Sequence, residues 1–284
     1  MGKVISVINM KGGVGKTTLC IGIADLLSEQ GKSVLLIDAD PQFNATQAML
    51  DCYKKSSETD DENFYTKEIL TKSKTIYRLF RPQTDMSQTY MIPSSNEIII
   101  NLKENLDILC GDLNLVLVNQ SADNRFVKRI RNFIDENHLR DTYDFIFIDC
   151  PPTLTIYTDS ALMASDYYLI PNRIDRYSIV GIDSLQKAVT SLIKEERIPL
   201  KCLGLVYTMI DSTIGAKQQR IKHNFESKDV VSDLYIFSSV LTTVNNISVG
   251  VSGTIPTKYK KAKEDIEAIC AELLQNLESI EKKD

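Results

Sequence analysis

Residues 11–18 read Lys-Gly-Gly-Val-Gly-Lys-Thr-Thr, and this stretch decides the fold. It follows an apolar run at residues 3–9 and opens a helical pattern over residues 16–30, which Gly31 ends. Between a strand and a helix, glycines let successive backbone N–H groups turn towards a phosphate, and the helix N-terminus adds partial positive charge. The stretch therefore predicts a phosphate-binding loop, or P-loop.

The P-loop carries side chains for both phosphate and metal chemistry. Lys16 can reach the terminal phosphates of a nucleotide, and the hydroxyl of Thr17 can bind Mg²⁺. The general pattern has glycine where Met10 stands, and this loop begins instead with an additional lysine, Lys11. The residues predicted to contact the phosphates are Lys11, Gly12, Gly13, Val14, Gly15, Lys16, Thr17 and Thr18.

Apolar runs and helical patterns alternate along most of the chain. The further apolar runs occupy residues 33–38, 145–149, 167–171 and 202–208. The further helical patterns occupy residues 126–138, 178–196, 216–225 and 262–280. Because the runs are continuous, each strand is predicted to be buried on both faces. The alternation predicts an α/β fold of the P-loop NTPase kind, a mostly parallel twisted sheet with helices on both faces.

The stretch from about residue 51 to 105 interrupts this alternation. Its polar and acidic part, residues 56–63, predicts a loop, and residues 97–101 predict a strand at the edge of the sheet. We interpret the stretch as an elaborated insertion in one domain that spans residues 1–284.

Composition excludes several classes of protein. The 284 residues include 33 basic and 38 acidic side chains, which excludes a uniformly basic coat for nucleic acid. The six cysteines form no Cys-x-x-Cys pair, which argues against zinc ribbons and thioredoxin-type redox sites. No apolar run approaches the roughly 20 residues that cross a bilayer, so we expect a cytoplasmic protein that does not bind membranes.

Two carboxylates end apolar runs, Asp38 and Asp149. The carboxyl ends of parallel strands meet in one crevice, so both side chains are expected beside the phosphates. Asp149 is the better candidate to hold Mg²⁺ through water, with Asp38 sharing that work. The predicted metal residues are Thr17, Asp38 and Asp149.

The P-loop resembles the deviant Walker A box of the ParA/MinD family of ATPases. Three later segments resemble that family's second acidic box, its Walker B strand and the strand beside the base: Asp38-Ala-Asp-Pro-Gln42, Phe145-Ile-Phe-Ile-Asp149-Cys-Pro-Pro and Leu205-Val-Tyr-Thr-Met209. The ending Asp-Pro-Gln, followed by Asn44-Ala-Thr46, is similar to the partition branch, ParA or Soj. Within that branch, the chain resembles the short plasmid-partition ATPases of Gram-positive bacteria, including the delta type.

The resemblance implies a slow ATP-dependent switch with Mg²⁺ as cofactor. Asp40 corresponds to the residue that orients the attacking water, and Lys11 to a lysine that reaches the nucleotide of the partner in a sandwich homodimer. The ATP-bound dimer is expected to bind DNA without sequence preference, on the nucleoid. A centromere-binding, ParB-like partner is expected to stimulate hydrolysis and reset the dimer. Met209 and Pro256 correspond to positions near the adenine.

Basic residues near the C-terminus are candidates for the DNA contact. They are Lys217, Arg220, Lys222, Lys258, Lys260 and Lys261. A dimer would double their field, although a run of charges is often only a solvated helix face.

Two other functions remain open at this point. A MinD-like spatial regulator would need a basic amphipathic tail, whereas the C-terminal helix is largely acidic on its polar side. A P-loop metabolic ligase would need a pocket for a small carboxylate or amine. GTP stays an alternative to ATP, because Asn172-Arg-Ile-Asp175 resembles the guanine-binding Asn-Lys-x-Asp motif without its lysine.

Overall fold

The computed structural model describes residues 1–54, 64–81, 91–118, 124–175, 177–211, 215–243 and 253–282. The strands are β1 (Lys3–Val7), β2 (Val34–Asp38), β3 (Ile100–Lys103), β4 (Leu106–Leu109), β5 (Phe145–Asp149), β6 (Tyr167–Asn172), β7 (Lys201–Ile210) and β8 (Leu241–Thr242). They form a sheet in the order β3-β4-β2-β5-β1-β6-β7-β8. Every neighbouring pair is parallel except β3 and β4, which are antiparallel. This confirms the α/β fold with a mostly parallel sheet.

The longer helices pack on the two faces of this sheet. They are α1 (Lys16–Glu29), α2 (Asn44–Tyr53), α6 (Arg129–Glu136), α8 (Ile156–Ala164), α9 (Ser178–Glu196), α10 (Ala216–Glu226) and α12 (Lys260–Glu281). The four-residue helices are α3 (Tyr77–Phe80), α4 (Ser95–Ile98), α5 (Leu115–Val118), α7 (Leu139–Thr142) and α11 (Asp229–Ser232). A π-helix covers Tyr65–Leu70, and 3₁₀ turns cover Asn124–Lys128 and Pro256–Lys258. Among the described residues, no helix is both long enough and apolar enough to cross a membrane.

Alternate residues of one strand serve two hydrophobic cores. In β5, Ile146 and Ile148 join the core beneath α6, α8 and α9, whereas Phe145 and Phe147 join the core beneath α1, α2 and α12. The continuous apolar runs therefore lie between two layers of helices, as their sequence predicts.

The strand ends that carry polar side chains are level with one another. Val7, the last residue of β1, pairs with Asp149 of β5, and Asp149 pairs in turn with Asp38 of β2. The loop after β1 begins at this edge, between the ends of β5 and β6. The fold thus brings the P-loop and both carboxylates to one edge of the sheet.

The insertion differs in detail from its prediction. The edge strand is Ile100–Lys103 rather than residues 97–101, because Ser95–Ile98 forms a helical turn that begins after Ser94. The strand Leu106–Leu109 and the helix Asn44–Tyr53 were not predicted. Residues 56–63 lie outside the described part of the chain, and the single domain over residues 1–284 stays a prediction.

Candidate active site

The P-loop joins β1 to α1 in the conformation that its glycines permit. Gly13 and Gly15 lie at φ 67° and 76°, the left-handed region in which a Cβ is strained. A Cβ on Gly12 or Gly13 would meet nothing within 4 Å, so the loop is open on that side. Gly15 is the N-cap of α1, and no described side chain caps this helix. The N–H groups of the first turn are therefore available to an anion.

Two polar residues outside the motif brace the P-loop. The hydroxyl of Thr208, in β7, donates to the Val14 carbonyl oxygen at 2.6 Å. Asn9 accepts the Lys11 N–H at 3.0 Å and donates to the Pro171 carbonyl oxygen at 2.8 Å. Neither residue has a predicted role, although a buried polar side chain at a strand end is a usable signal.

Lys16 lies inside the loop, and its side chain is almost fully buried. Its ammonium group donates to the Lys11 carbonyl oxygen at 3.1 Å. Burial lowers the pKa of Lys16, while the negative charges of Asp149 and Asp40 oppose that shift. The predicted phosphate lysine and two predicted carboxylates therefore share one electrostatic environment.

The surroundings of Asp149 show most clearly whether the site fits a divalent cation. The hydroxyl of Thr17 donates to Asp149 Oδ2 at 2.7 Å. The other oxygen, Oδ1, is buried without a hydrogen-bond partner among the described residues. Burial and the nearby Asp38 raise the pKa of Asp149 well above its usual value. A hydroxyl beside an unpartnered carboxylate oxygen fits a hydrated Mg²⁺ ion, which Thr17 and Asp149 could hold.

Asp38 is fully buried and its hydrogen bonds are satisfied within the chain. Its Oδ2 accepts the N–H of Thr46 at 2.8 Å and the Thr46 hydroxyl at 2.7 Å. Its Oδ1 accepts the N–H of Asp40 at 3.2 Å. Burial raises the pKa of Asp38 to about 7. These bonds anchor the turn that carries Asp40, and a part for Asp38 in holding Mg²⁺ stays a prediction.

Asp40 begins a tight turn at the same edge. Its Oδ1 accepts the N–H of Gln42 at 2.9 Å, and its carbonyl oxygen accepts the N–H of Phe43 at 2.8 Å. The negative charge of Asp40 opposes the fall in the pKa of Lys16 that burial causes, and it adds to the rise in the pKa of Asp149 that burial and Asp38 cause. Asp40 therefore lies in the same crevice as Lys16 and Asp149, and its part in orienting water stays a prediction.

Lys11 forms an ion pair with Asp175 of the same chain, and both side chains are half-buried. Asp175 follows β6 and also accepts the N–H of Tyr177 at 2.8 Å. Burial would raise the pKa of Asp175, but the bonds from Lys11 and Tyr177 outweigh it and lower that pKa. A reach of Lys11 to a partner's nucleotide stays a prediction.

The two predicted adenine residues occupy different surroundings. Met209, at φ 54°, lines a cavity of about 170 Å³ together with Arg173, Asp175 and Asp211. Pro256 is buried where α1 meets α12, and its ring lies 3.1 Å from the position of a Cβ on Gly22. Of these two residues, Met209 is the one that lies at the carboxyl edge of the sheet.

Five of the six predicted DNA residues divide into two groups according to their ion pairs with described residues. Lys217 and Arg220 line a cavity of about 510 Å³ and form no ion pair with a described residue. The other group is neutralised: Lys222 lies 3.7 Å from Glu226, Lys258 lies 3.5 Å from Glu29 and Lys261 lies 2.8 Å from Asp265. Lys260 is exposed on the first turn of α12.

Comparison with known proteins bears on the family and the fold of this chain. Residues 2–202 match the family AAA_31, described as an AAA domain. The chain is 30% identical to the sporulation initiation inhibitor protein Soj of Bacillus subtilis over 212 residues, which covers 75% of this chain and 74% of Soj. It is 32% identical to the chromosome partitioning protein ParA of Myxococcus xanthus over 223 residues, 78% of this chain and 70% of that ParA. The structure of a Cyanothece McdA(D38A)–ATP complex shares the fold, with a TM-score of 0.75 and 19% identity over 97% of this chain and 96% of that one.

Proposed function

This chain belongs to the AAA-domain family that includes Soj and ParA, and we propose that it hydrolyses ATP as the switch of a DNA-partition system. The observation that carries the proposal is the contact between Thr17 and Asp149 beside the P-loop, with Lys16 in the loop. These residues together provide the donors and acceptors that a magnesium-bound triphosphate needs. The ATP-bound McdA structure, which has the same fold, supports the choice of nucleotide.

Each side chain has a distinct part in hydrolysis. The P-loop N–H groups and the Lys16 ammonium hold the phosphates, and Thr17 and Asp149 would hold Mg²⁺, which would neutralise phosphate charge. Asp40 accepts a hydrogen bond from the attacking water and so fixes its direction. Phosphoryl transfer needs mainly positioning and charge neutralisation, and these groups supply both.

We also propose a sandwich homodimer across the nucleotide edge. Exposed apolar side chains lie near the carboxyl ends of β4, β5, β6 and β7: Leu113, Leu154, Tyr177, Val180 and Met209. Exposed apolar residues gathered at one edge of the sheet favour an interaction surface there, and a second copy facing this edge would cover them. Lys11 lies at the same edge, where it can exchange Asp175 for the phosphates of the partner's ATP.

The DNA contact is assigned to the ATP-bound dimer. Lys217 and Arg220 contribute uncompensated positive charge beside Asp175, whereas the charges of Lys258 and Lys261 are balanced within the chain. Non-specific DNA binding depends on net positive charge at the phosphates. The cavity at α10 is therefore the stronger candidate surface. The DNA-bound dimer lies on the nucleoid, in the cytoplasm. A ParB-like partner stimulates hydrolysis there and so completes the cycle.

The direct test is DNA binding by the purified chain with ATP, with ADP and without nucleotide. We expect binding with ATP alone, and we expect Asp40→Ala to retain it while losing hydrolysis. Equal binding in all three conditions would contradict the switch, and unimpaired hydrolysis by Asp40→Ala would contradict the assigned role.

Two double substitutions test which surface binds DNA. We expect Lys217→Ala with Arg220→Ala to weaken DNA binding and flatten its salt dependence, since each lost phosphate contact lowers the salt slope by about one unit. Lys258→Ala with Lys261→Ala removes the same number of charges and serves as the control, with a smaller expected effect. The reverse order of effects would place the contact at Lys258 and Lys261, where the 3₁₀ turn meets α12.

A further inference from the structure

The turn that carries Asp40 ends on a residue in an unfavourable backbone conformation. Phe43 lies at φ 40° and ψ 37°, in the left-handed region that disfavours every residue with a Cβ. Its N–H donates to the Asp40 carbonyl oxygen at 2.8 Å, and its carbonyl oxygen accepts the N–H of Gln47 at 3.0 Å, inside α2. Phe43 thus joins the turn to the helix, and its conformation determines the direction of the turn.

An aromatic residue of the insertion supports Phe43. The ring of Tyr65 is stacked on the ring of Phe43, with centroids 5.0 Å apart and planes inclined by 12°. Tyr65 is the first residue of the π-helix, and its hydroxyl donates to the Gly111 carbonyl oxygen at 3.0 Å. An offset aromatic stack is favourable beyond the area that it buries. It therefore opposes the backbone cost at Phe43.

Gly111 connects this stack to Asp38. A Cβ at Gly111 would lie 2.7 Å from the Phe43 Cβ and 3.0 Å from the Asp38 Cγ. The Gly111 N–H donates to the Thr46 hydroxyl at 2.8 Å, and that hydroxyl donates to Asp38. Phe43 and Asp38 thus lie against the same glycine, with no room for the turn to relax towards it.

We propose that Tyr65 is a positioning residue for ATP hydrolysis. By stacking on Phe43 it holds the left-handed conformation, and that conformation holds the Asp40 carboxylate at the attacking water. The inference rests on the proposed ATPase function, because it assigns Tyr65 to the reaction through Asp40. The P-loop makes none of these contacts, so ATP binding does not depend on Tyr65.

The first test compares Tyr65→Ala with Tyr65→Phe. Without the stack, the left-handed cost at Phe43 disfavours the working turn by about tenfold, so kcat for ATP is expected to fall by about that factor in Tyr65→Ala. The dissociation constant for ATP is expected to stay within about twofold. Tyr65→Phe keeps the stack and is expected to restore most of kcat. Circular dichroism and thermal melting show whether each variant is folded.

The second test changes Phe43 and does not depend on the folding of a Tyr65 variant. Phe43→Ala loses the stack and keeps a Cβ at positive φ, so kcat is expected to fall by about tenfold. Phe43→Gly also loses the stack, but glycine adopts positive φ at no steric cost, so its kcat is expected to stay within about threefold of the starting protein. In the Phe43→Gly background, Tyr65→Ala should then have little further effect on kcat.

The possible results separate this inference from the proposed function. A starting protein that does not hydrolyse ATP would overturn the proposed function. Hydrolysis by the starting protein, combined with an unchanged kcat in Tyr65→Ala or in Phe43→Ala, would overturn the positioning role alone. Equal kcat losses in Phe43→Ala and Phe43→Gly would also overturn it, since the backbone conformation would then not matter.

Discussion

Replacement of Asp25 by alanine is expected to lower the melting temperature of this protein substantially. Asp25 lies on α1, and its carboxylate is fully buried. Lys103, on the edge strand β3, donates to its Oδ1 at 2.7 Å, and the hydroxyls of Tyr53 and Thr257 also donate to the carboxylate. One buried charge therefore ties α2, the insertion and the turn before α12 to the helix that follows the P-loop.

The size of the effect follows from the burial of the two charges. Removing one partner of a buried ion pair costs about 3–5 kcal/mol, because the other charge is left without compensation. The Lys103 side chain is 22% exposed and can turn partly to water, so we expect the lower limit, about 3 kcal/mol. At about 2–4 °C for each kcal/mol in a chain of this size, the melting temperature should fall by about 6–12 °C.

The lowered pKa of Asp25 indicates that the folded protein stabilises the charged form of this side chain. Burial alone would raise this pKa, but hydrogen bonds from Lys103, Thr257 and Tyr53 outweigh burial and lower it. The folded state therefore favours the carboxylate, and its contribution to stability is present at neutral pH. It is lost only as the pH falls through the lowered pKa.

Glu29→Ala is the matched control for Asp25→Ala. Glu29 lies one turn later on α1, and its carboxylate lies 2.8 Å from Lys263 and 3.5 Å from Lys258. Its side chain is 31% exposed, so its ion pairs should contribute at most about 1 kcal/mol. Both variants are unfolded by heat and by urea, and circular dichroism monitors the unfolding. Melting of Asp25→Ala no lower than that of Glu29→Ala would refute the argument from burial.

Three further changes test the site and its surroundings. Asp149→Asn should raise the Mg²⁺ concentration needed for ATP binding by about tenfold or more, because a buried anionic oxygen is lost; an unchanged Mg²⁺ titration would contradict the assignment. Thr208→Val removes the bond to the Val14 carbonyl and should weaken ATP binding by about five- to tenfold in an equilibrium titration, with little change in melting temperature. Glu272→Gln should cost about 1–2 kcal/mol in urea unfolding at pH 7, after allowance for its exposure. Burial opposes ionisation of Glu272, but N–H donors of Ser238 and Ser239 outweigh it and lower the pKa to about 2, so its contribution should disappear as the pH falls from about 4.5 towards 2.

The P-loop and the central strands could be predicted because their signals are local. The glycines at 13 and 15 are required by the left-handed backbone at those positions. The apolar runs of β1, β2 and β5 are continuous because helices cover both faces of the sheet. Asp38 and Asp149 meet because both end parallel strands that are in register. A motif and a strand end together are enough to locate these groups.

The bracing around Asp40 could not be predicted in the same way. Tyr65 and Gly111 are 46 positions apart in the chain, and their contact depends on how the insertion folds back on β4. The strand β4 contains Asp107, which interrupts its apolar run and conceals it from a pattern based on hydrophobicity. The one local sign is the bulky Phe43 directly before the helix α2. This sign is not enough, because the left-handed conformation of Phe43 becomes visible only in three dimensions.

The basic residues show why a count of charges does not locate a binding surface. Lys258 and Lys217 have equal weight in the sequence, but in the structure the first faces Asp25 and Glu29, whereas the second lines an open cavity. Asp175 lines that same cavity and is the ion-pair partner of Lys11. If Lys11 leaves Asp175 for a phosphate, as proposed, the Asp175 carboxylate loses its partner and lowers the positive potential beside Lys217. The ATP dependence proposed for DNA binding therefore rests on the dimer, which would double the field of Lys217 and Arg220, and not on this exchange.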